Sequence, residues 1–154
     1  VDVLSFGATK NGALGAEVVV FFDKDAAESF VYRRKRAGHL ISKMRFVSSQ
    51  LDAYFTDGRW LRSARHANAM ATNLAQGLQR LPGVSLLHPV EANELFPCLP
   101  VDMVAGLRAA GFSFYDWTDA PKPGTIRLVT AFSTKASDVA AFLATAGKLA
   151  TAAA

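Results

Sequence analysis

One cysteine, Cys98, is all the sulfhydryl chemistry in this 154-residue sequence, so no internal disulfide can form. A lone thiol gives no sign of an oxidising compartment, and a cytoplasmic location is the default expectation. Lying between Pro97 and Pro100, Cys98 reads as a small buried hydrophobe, since no histidine is fixed beside it. Long apolar runs are missing as well: no stretch of 18 residues is apolar enough to suggest a membrane span, and the N-terminus lacks the basic-then-apolar layout of a secretory leader. Histidine is scarce. His39, His66 and His88 stand at none of the spacings with Cys or carboxylates that mark metal sites, so no metal is expected.

The net charge is +4, and much of the excess sits in Arg33-Arg34-Lys35-Arg36 with Lys43 and Arg45. Aromatic residues do not alternate with these charges as they do where bases are stacked. A charge run of this kind is usually a solvated helix face, and no nucleic-acid partner is expected. What is abundant is apolar residue, at 51% of the chain, enough for an ordinary buried core. Val1 opens directly into a strand-like run, which leads to the expectation that residues upstream are missing.

Periodicity then divides the chain. Val1–Phe6 reads as a strand, Gly7–Gly15 as a turn of small residues, and Glu17–Phe22 as a strand apolar enough to be buried on both faces of a layered α/β core. Asp23 can cap a helix over Asp25–Ala37 that ends at Gly38. A second helix is expected over Leu40–Phe55, with Leu40, Met44, Val47, Leu51 and Tyr54 on one face, closed by Gly58. Trp60–Leu81 carries the longest helical stripe, Leu61, Ala64, Ala67, Ala71, Leu74, Leu78 and Leu81, before Pro82-Gly83 stops it. Beyond it the pieces are shorter. Strands are expected at Val84–Leu87, Glu94–Leu99, Phe112–Tyr115 and Thr125–Val129, with a helix over Val101–Ala110. Thr134 then caps a last helix whose core face is Val139, Phe142, Leu143 and Ala146. Trp60 and Trp117 read as core or interface anchors.

The segment Ser5-Phe6-Gly7-Ala8-Thr9-Lys10-Asn11-Gly12-Ala13 places a lysine among small residues directly after a strand. A lysine buried and desolvated there becomes an amine nucleophile suited to Schiff-base chemistry on a carbonyl cofactor. The same residues also read as a surface lysine in an Asn-Gly turn. Arg127, in the strand Thr125–Val129, is open to two readings too: a solvent-facing edge-strand arginine, or a guanidinium placed for a carboxylate.

The lysine segment resembles the cofactor-lysine motif of the threonine aldolase and phenylserine aldolase branch of the β-eliminating lyase family, whose members use pyridoxal 5'-phosphate (PLP). Further blocks look like that branch in the same order: Glu17–Asp23, Lys35–Leu40, Ser42–Phe46, His66-Ala67-Asn68 and Ile126–Thr130. The resemblance implies a type I PLP-dependent transferase fold, aspartate-aminotransferase-like and α/β, of which this chain is the C-terminal part. Residues 1–58 would then be the remainder of the large PLP-binding domain, 59–82 a long connecting helix, and 83–154 a small C-terminal α+β domain. The missing N-terminal part would supply the phosphate turn, the ring-stacking residue and the aspartate facing the ring nitrogen.

Carried over residue by residue, the resemblance makes Lys10 the catalytic, cofactor-holding lysine and Arg127 the substrate-carboxylate arginine. Thr9 would meet the cofactor phosphate, and Arg36 and Arg45 would reach toward the cofactor phosphate or the active site of the neighbouring subunit in a homodimer or homotetramer. The implied reaction cleaves a small β-hydroxy-α-amino acid, of threonine or phenylserine type, to glycine and an aldehyde. Another type I PLP lyase or transferase would use Lys10 and Arg127 alike but break a different bond. A chain lacking the upstream half of the site would be inactive by itself.

Overall fold

Short runs rich in valine and other apolar residues form the first two strands. In the computed structural model, which describes residues 1–152, β1 (Val3–Gly7) and β2 (Glu17–Phe21) form an antiparallel ribbon in the register Val3↔Phe21, Ser5↔Val19, Gly7↔Glu17. The expectation that Glu17–Phe22 is buried on both faces is corrected. Val19 is 40% exposed and Phe22 64%, because two strands alone leave one face and both edges uncovered. The chain divides into two compact units, residues 1–63 and 64–154.

In the first unit, Ala8, Ala16 and Tyr54 are buried, with Phe6, Ala13, Val47, Leu51 and Trp60 packed around them. Asp23 accepts from the Asp25 N–H at 3.0 Å and so caps α1 (Lys24–Ala27), as its short carboxylate side chain allows. The single helix expected over Asp25–Ala37 is instead broken at Glu28-Ser29, and α2 (Phe30–Arg36) follows. Serine is a poor helix-interior residue, and the break lets the Phe30 ring meet Phe21 at 4.8 Å. Gly38, at φ 78, ends this segment as expected.

The next helix, α3 (Arg45–Phe55), begins at Arg45 rather than Leu40. Leu40 and Ile41 remain exposed, so no packing offsets the cost of ordering another helical turn there. The covered stripe is reduced to Val47, Leu51 and Tyr54. A 3-10 turn over Thr56–Gly58, with Asp57 at φ 53, separates α3 from α4 (Arg59–Leu78).

The second unit holds the larger core. Ala67, Ala71, Leu74 and Leu78 are buried along α4 as the stripe implies, joined by Met70 and Ala75. Leu81 lies beyond the helix and is half-buried. The strand expected over Glu94–Leu99 is two pieces. Pro97 has no N–H to continue one ladder, so β4 (Glu94–Leu95) pairs with β7 (Ile126–Val129), while β5 (Pro97–Cys98) pairs with β3 (Ser85–Leu86). After α5 (Val101–Ala109), the expected strand Phe112–Tyr115 moves to β6 (Tyr115–Asp116), because the Phe112 and Phe114 rings turn toward Phe142, Phe112 at 5.0 Å. The order β4-β7-β6 puts β7 at the centre of a three-stranded antiparallel sheet.

The last helix is α6 (Ala136–Ala152), burying Val139, Phe142, Ala146 and Ala150. Leu143 is half-buried, seated where Gly77 has no side chain: a Cβ there would lie 2.4 Å from its Cδ1. Thr134 does not cap the helix. Its Oγ1 accepts from the Ala131 N–H at 2.9 Å, and Asp138 instead reaches back to the Lys135 N–H at 3.0 Å.

Candidate functional site

Lys10 rides a single 3-10 turn, Thr9–Asn11, between β1 and β2. The turn folds over the fully buried Ala8. The Ala8 N–H donates to the Ala16 carbonyl at 3.0 Å, and the Asn11 and Ala13 N–H groups both donate to the Ala8 carbonyl at 3.1 Å. Gly12 leaves the turn at φ 115, a conformation that a side chain would oppose. The expectation of a buried, desolvated lysine is corrected: Lys10 is exposed on the rim of the turn. Its neighbours Ala8, Gly12 and Ala13 are too small to cover a four-carbon stem. Among the described residues no hydrogen bond or ion pair engages its Nζ.

The residues on either side are held. The Thr9 hydroxyl donates to Glu17 at 3.1 Å and accepts from the Ala16 N–H at 3.3 Å. The Glu17 carboxylate in turn lies against Gly7, where a Cβ would come within 2.5 Å of Oε2. Asn11 donates both amide protons, one to the Tyr54 hydroxyl at 2.5 Å and one to the Trp60 carbonyl at 3.0 Å. Tyr54 is buried in the aromatic group of Phe6, Phe55 and Trp60. Asn11, Glu17 and Tyr54 escaped the sequence reading, because the Asn11 to Tyr54 contact spans 43 residues and nothing local announces it.

Arg127 occupies the middle of β7, with Ile126 and Leu128 pointing into the core and the arginine on the opposite face. It stands on a central strand, not an edge. Its Nε donates to Glu94 on the neighbouring β4 in a half-exposed ion pair, and Nη1 and Nη2 have no partner among the described residues. Glu94 was not singled out by the sequence. Asn93 beside it ties β4 to the strand end, donating to the Thr130 carbonyl at 2.7 Å.

Arg36 ends α2 and Arg45 begins α3, both exposed, the latter with its guanidinium 4.8 Å from the Phe46 ring centre. Thr9, Lys10, Arg36 and Arg45 belong to the first unit and Arg127 to the second. His39 is exposed and His66 is bonded to the Thr134 carbonyl at 2.7 Å. Cys98 is partly exposed rather than buried, because it lies on a two-residue strand where its Sγ reaches the Pro123 carbonyl at 3.6 Å. Among the described residues no group of three or more His, Cys, Asp or Glu could hold a metal ion, and no helix is long and apolar enough to cross a membrane. A depression of about 390 Å³ in the loop of residues 116–125 contains none of the expected site residues.

Known proteins give this arrangement its context. No protein-family model matches the chain. It is 50% identical over 115 residues to a low specificity L-threonine aldolase of Pseudomonas aeruginosa, covering 75% of this chain and 33% of that protein. A low specificity L-threonine aldolase of a Pseudomonas species is 46% identical over the same length and shares. This chain therefore spans about a third of the length of these relatives. Among solved structures, a Leishmania major threonine aldolase superposes with a TM-score of 0.88 at 28% identity, over 97% of this chain and 43% of that one. A glycine decarboxylase (P-protein) in inhibitor-bound form matches with a TM-score of 0.55 at 19% identity, over 96% of this chain and 34% of that one, a likeness of fold alone. The resemblance to threonine aldolases read from the sequence is thus borne out, as is a mixed α/β fold matching part of a type I PLP-dependent enzyme.

Proposed function

We propose that this chain works as part of a PLP-dependent aldolase that cleaves β-hydroxy-α-amino acids, of threonine or phenylserine type, to glycine and an aldehyde. The joint likeness to threonine aldolases in sequence and in fold carries this reading. The turn at Lys10 suits the cofactor: it presents a primary amine free of partners among the described residues, on a backbone bonded at Ala8. Lys10 would hold PLP through Nζ and take it back after each turnover. Bound PLP supplies an electron sink for the pair left by the breaking Cα–Cβ bond.

Arg127 would bind the substrate carboxylate. Its Nε is committed to Glu94, and the free Nη1 and Nη2 edge is the one that a carboxylate meets bidentately. Held by that edge, the amino acid is fixed for bond cleavage. Arg36 and Arg45, both exposed, would reach the cofactor phosphate in the neighbouring subunit of a homodimer or homotetramer. Thr9 would join them only by releasing Glu17. On the same reading residues 1–58 belong to the large domain, 59–82 to a connecting helix and 83–154 to the small domain of a cytoplasmic enzyme. The N-terminal part of that enzyme would complete the site.

The test is borohydride reduction with added PLP, followed by peptide mass mapping, on this chain alone and on the full-length enzyme. A pyridoxyl label on Lys10 in the full-length enzyme, with glycine and acetaldehyde formed from threonine, is the expected result. Absence of that label would overturn the role of Lys10; a different product would move the chain to another type I lyase or transferase.

A further inference from the structure

We infer that Asn11 and Tyr54 are positioning residues for Lys10, a side-chain latch that sets the orientation of the cofactor-holding turn; this rests on the reading of Lys10 just given. Backbone bonds to Ala8 close the three-residue 3-10 turn, and among the described residues no hydrogen bond or ion pair of the Lys10 side chain adds to them. The residue directly after it does. Asn11 is half-buried and places its amide nitrogen between two acceptors, the Tyr54 hydroxyl at 2.5 Å and the Trp60 carbonyl at 3.0 Å.

The carbonyl accepts only, so the amide nitrogen, not its oxygen, must face it, and the two N–H groups are matched by two acceptors. Both acceptors come from far along the chain, 43 and 49 residues away. They are rigid. Tyr54 is 8% exposed, its ring against Phe6 and Phe55, and the Trp60 ring meets Phe6 at 5.8 Å. The latch therefore transmits the position of a packed aromatic group to the peptide next to Lys10. On the other side Thr9 is fastened to Glu17 and Ala16. Lys10 is thus held between two anchored residues while its own side chain stays free, the arrangement that a lysine needs if it must leave and recapture a cofactor at a fixed point.

Asn11→Asp tests this in the full-length enzyme with PLP bound, since it keeps the shape and removes both donors. Tyr54→Phe keeps the ring and removes one acceptor. The expected result for Asn11→Asp is PLP affinity weaker by roughly tenfold or more, the scale of a lost hydrogen bond with unsatisfied partners. A displaced pH midpoint of the visible band of lysine-bound cofactor should accompany it, with smaller changes of the same sign for Tyr54→Phe. Should Asn11→Asp not fold, Tyr54→Phe is read by the same two measurements. A lowered melting temperature with unchanged PLP affinity and unchanged pH midpoint would overturn the latch and leave a purely structural tie. Borohydride labelling of the unsubstituted enzyme at a lysine other than Lys10 would overturn both this inference and the role of Lys10, whereas labelling at Lys10 with silent variants overturns the latch alone.

Discussion

Arg127 can be separated from its surroundings by what each of its nitrogens meets. Replacing it by Ala removes the guanidinium edge proposed for the carboxylate, so KM for threonine in the full-length enzyme should rise by an amount equivalent to about 2 kcal/mol. Arg127→Lys should recover little of this, because an ammonium cannot offer a planar fork. Steady-state kinetics on the two variants decides it, and an unchanged KM for Arg127→Ala would place the arginine outside the substrate site. A second residue-scale contrast concerns glycine. Gly124 sits at φ 78, and a Cβ there would lie 2.2 Å from the Leu99 carbonyl oxygen, which belongs to the residue whose own N–H donates to the Gly124 carbonyl. Gly15 has open space and no left-handed backbone. Gly124→Ala should destabilise by roughly 1–3 kcal/mol and Gly15→Ala by less than about 0.5 kcal/mol, measured as shifts in urea midpoint.

At the scale of elements, β7 is tied to α4 by Thr130, whose buried hydroxyl donates to the Ala67 carbonyl at 2.7 Å. Thr130→Val keeps the shape and removes this second donor to a carbonyl that also accepts within α4, so urea unfolding should show a loss of about 0.5–1.5 kcal/mol; no loss would mean that the tie adds nothing to the packing. The elements also show what a sequence can and cannot tell. Where one stripe of apolar residues meets one core, as along α4 from Ala67 to Leu78, periodicity was enough. It failed where the stripe had nothing to pack on, as at Leu40 and Ile41, and where a single residue outvoted the pattern, as Pro97 did. The candidate site divides in the same way. Lys10 and Arg127 stand out by residue type and place, while Tyr54, the partner of Asn11 beside Lys10, and Glu94, the partner of Arg127, lie 43 and 33 residues from the groups they bind, beyond any local signal.

Across the whole molecule the two units differ in how much they bury. Among the described residues sixteen form the buried cluster of the second, among them Leu78, Leu95, Leu99, Leu107 and Ile126, whereas the first has Ala8, Ala16 and Tyr54. Two of those three are alanines, and α2 has no buried residue at all. Burial of a large aliphatic side chain contributes about 1.5–3 kcal/mol, so opening should be far easier in the first unit than in the second. Hydrogen exchange followed by mass spectrometry on this chain by itself should therefore show Phe30–Arg36 exchanging fastest among the helices, and Leu74–Leu78 and Phe142–Ala146 slowest. Uniform protection across both units would mean that they unfold as one. If the order holds, addition of PLP to the full-length enzyme should slow exchange at Ala8–Ala13, because a ligand that binds the closed turn stabilises it by mass action. The turn that carries Lys10 would then owe its rigidity to the cofactor as well as to Asn11.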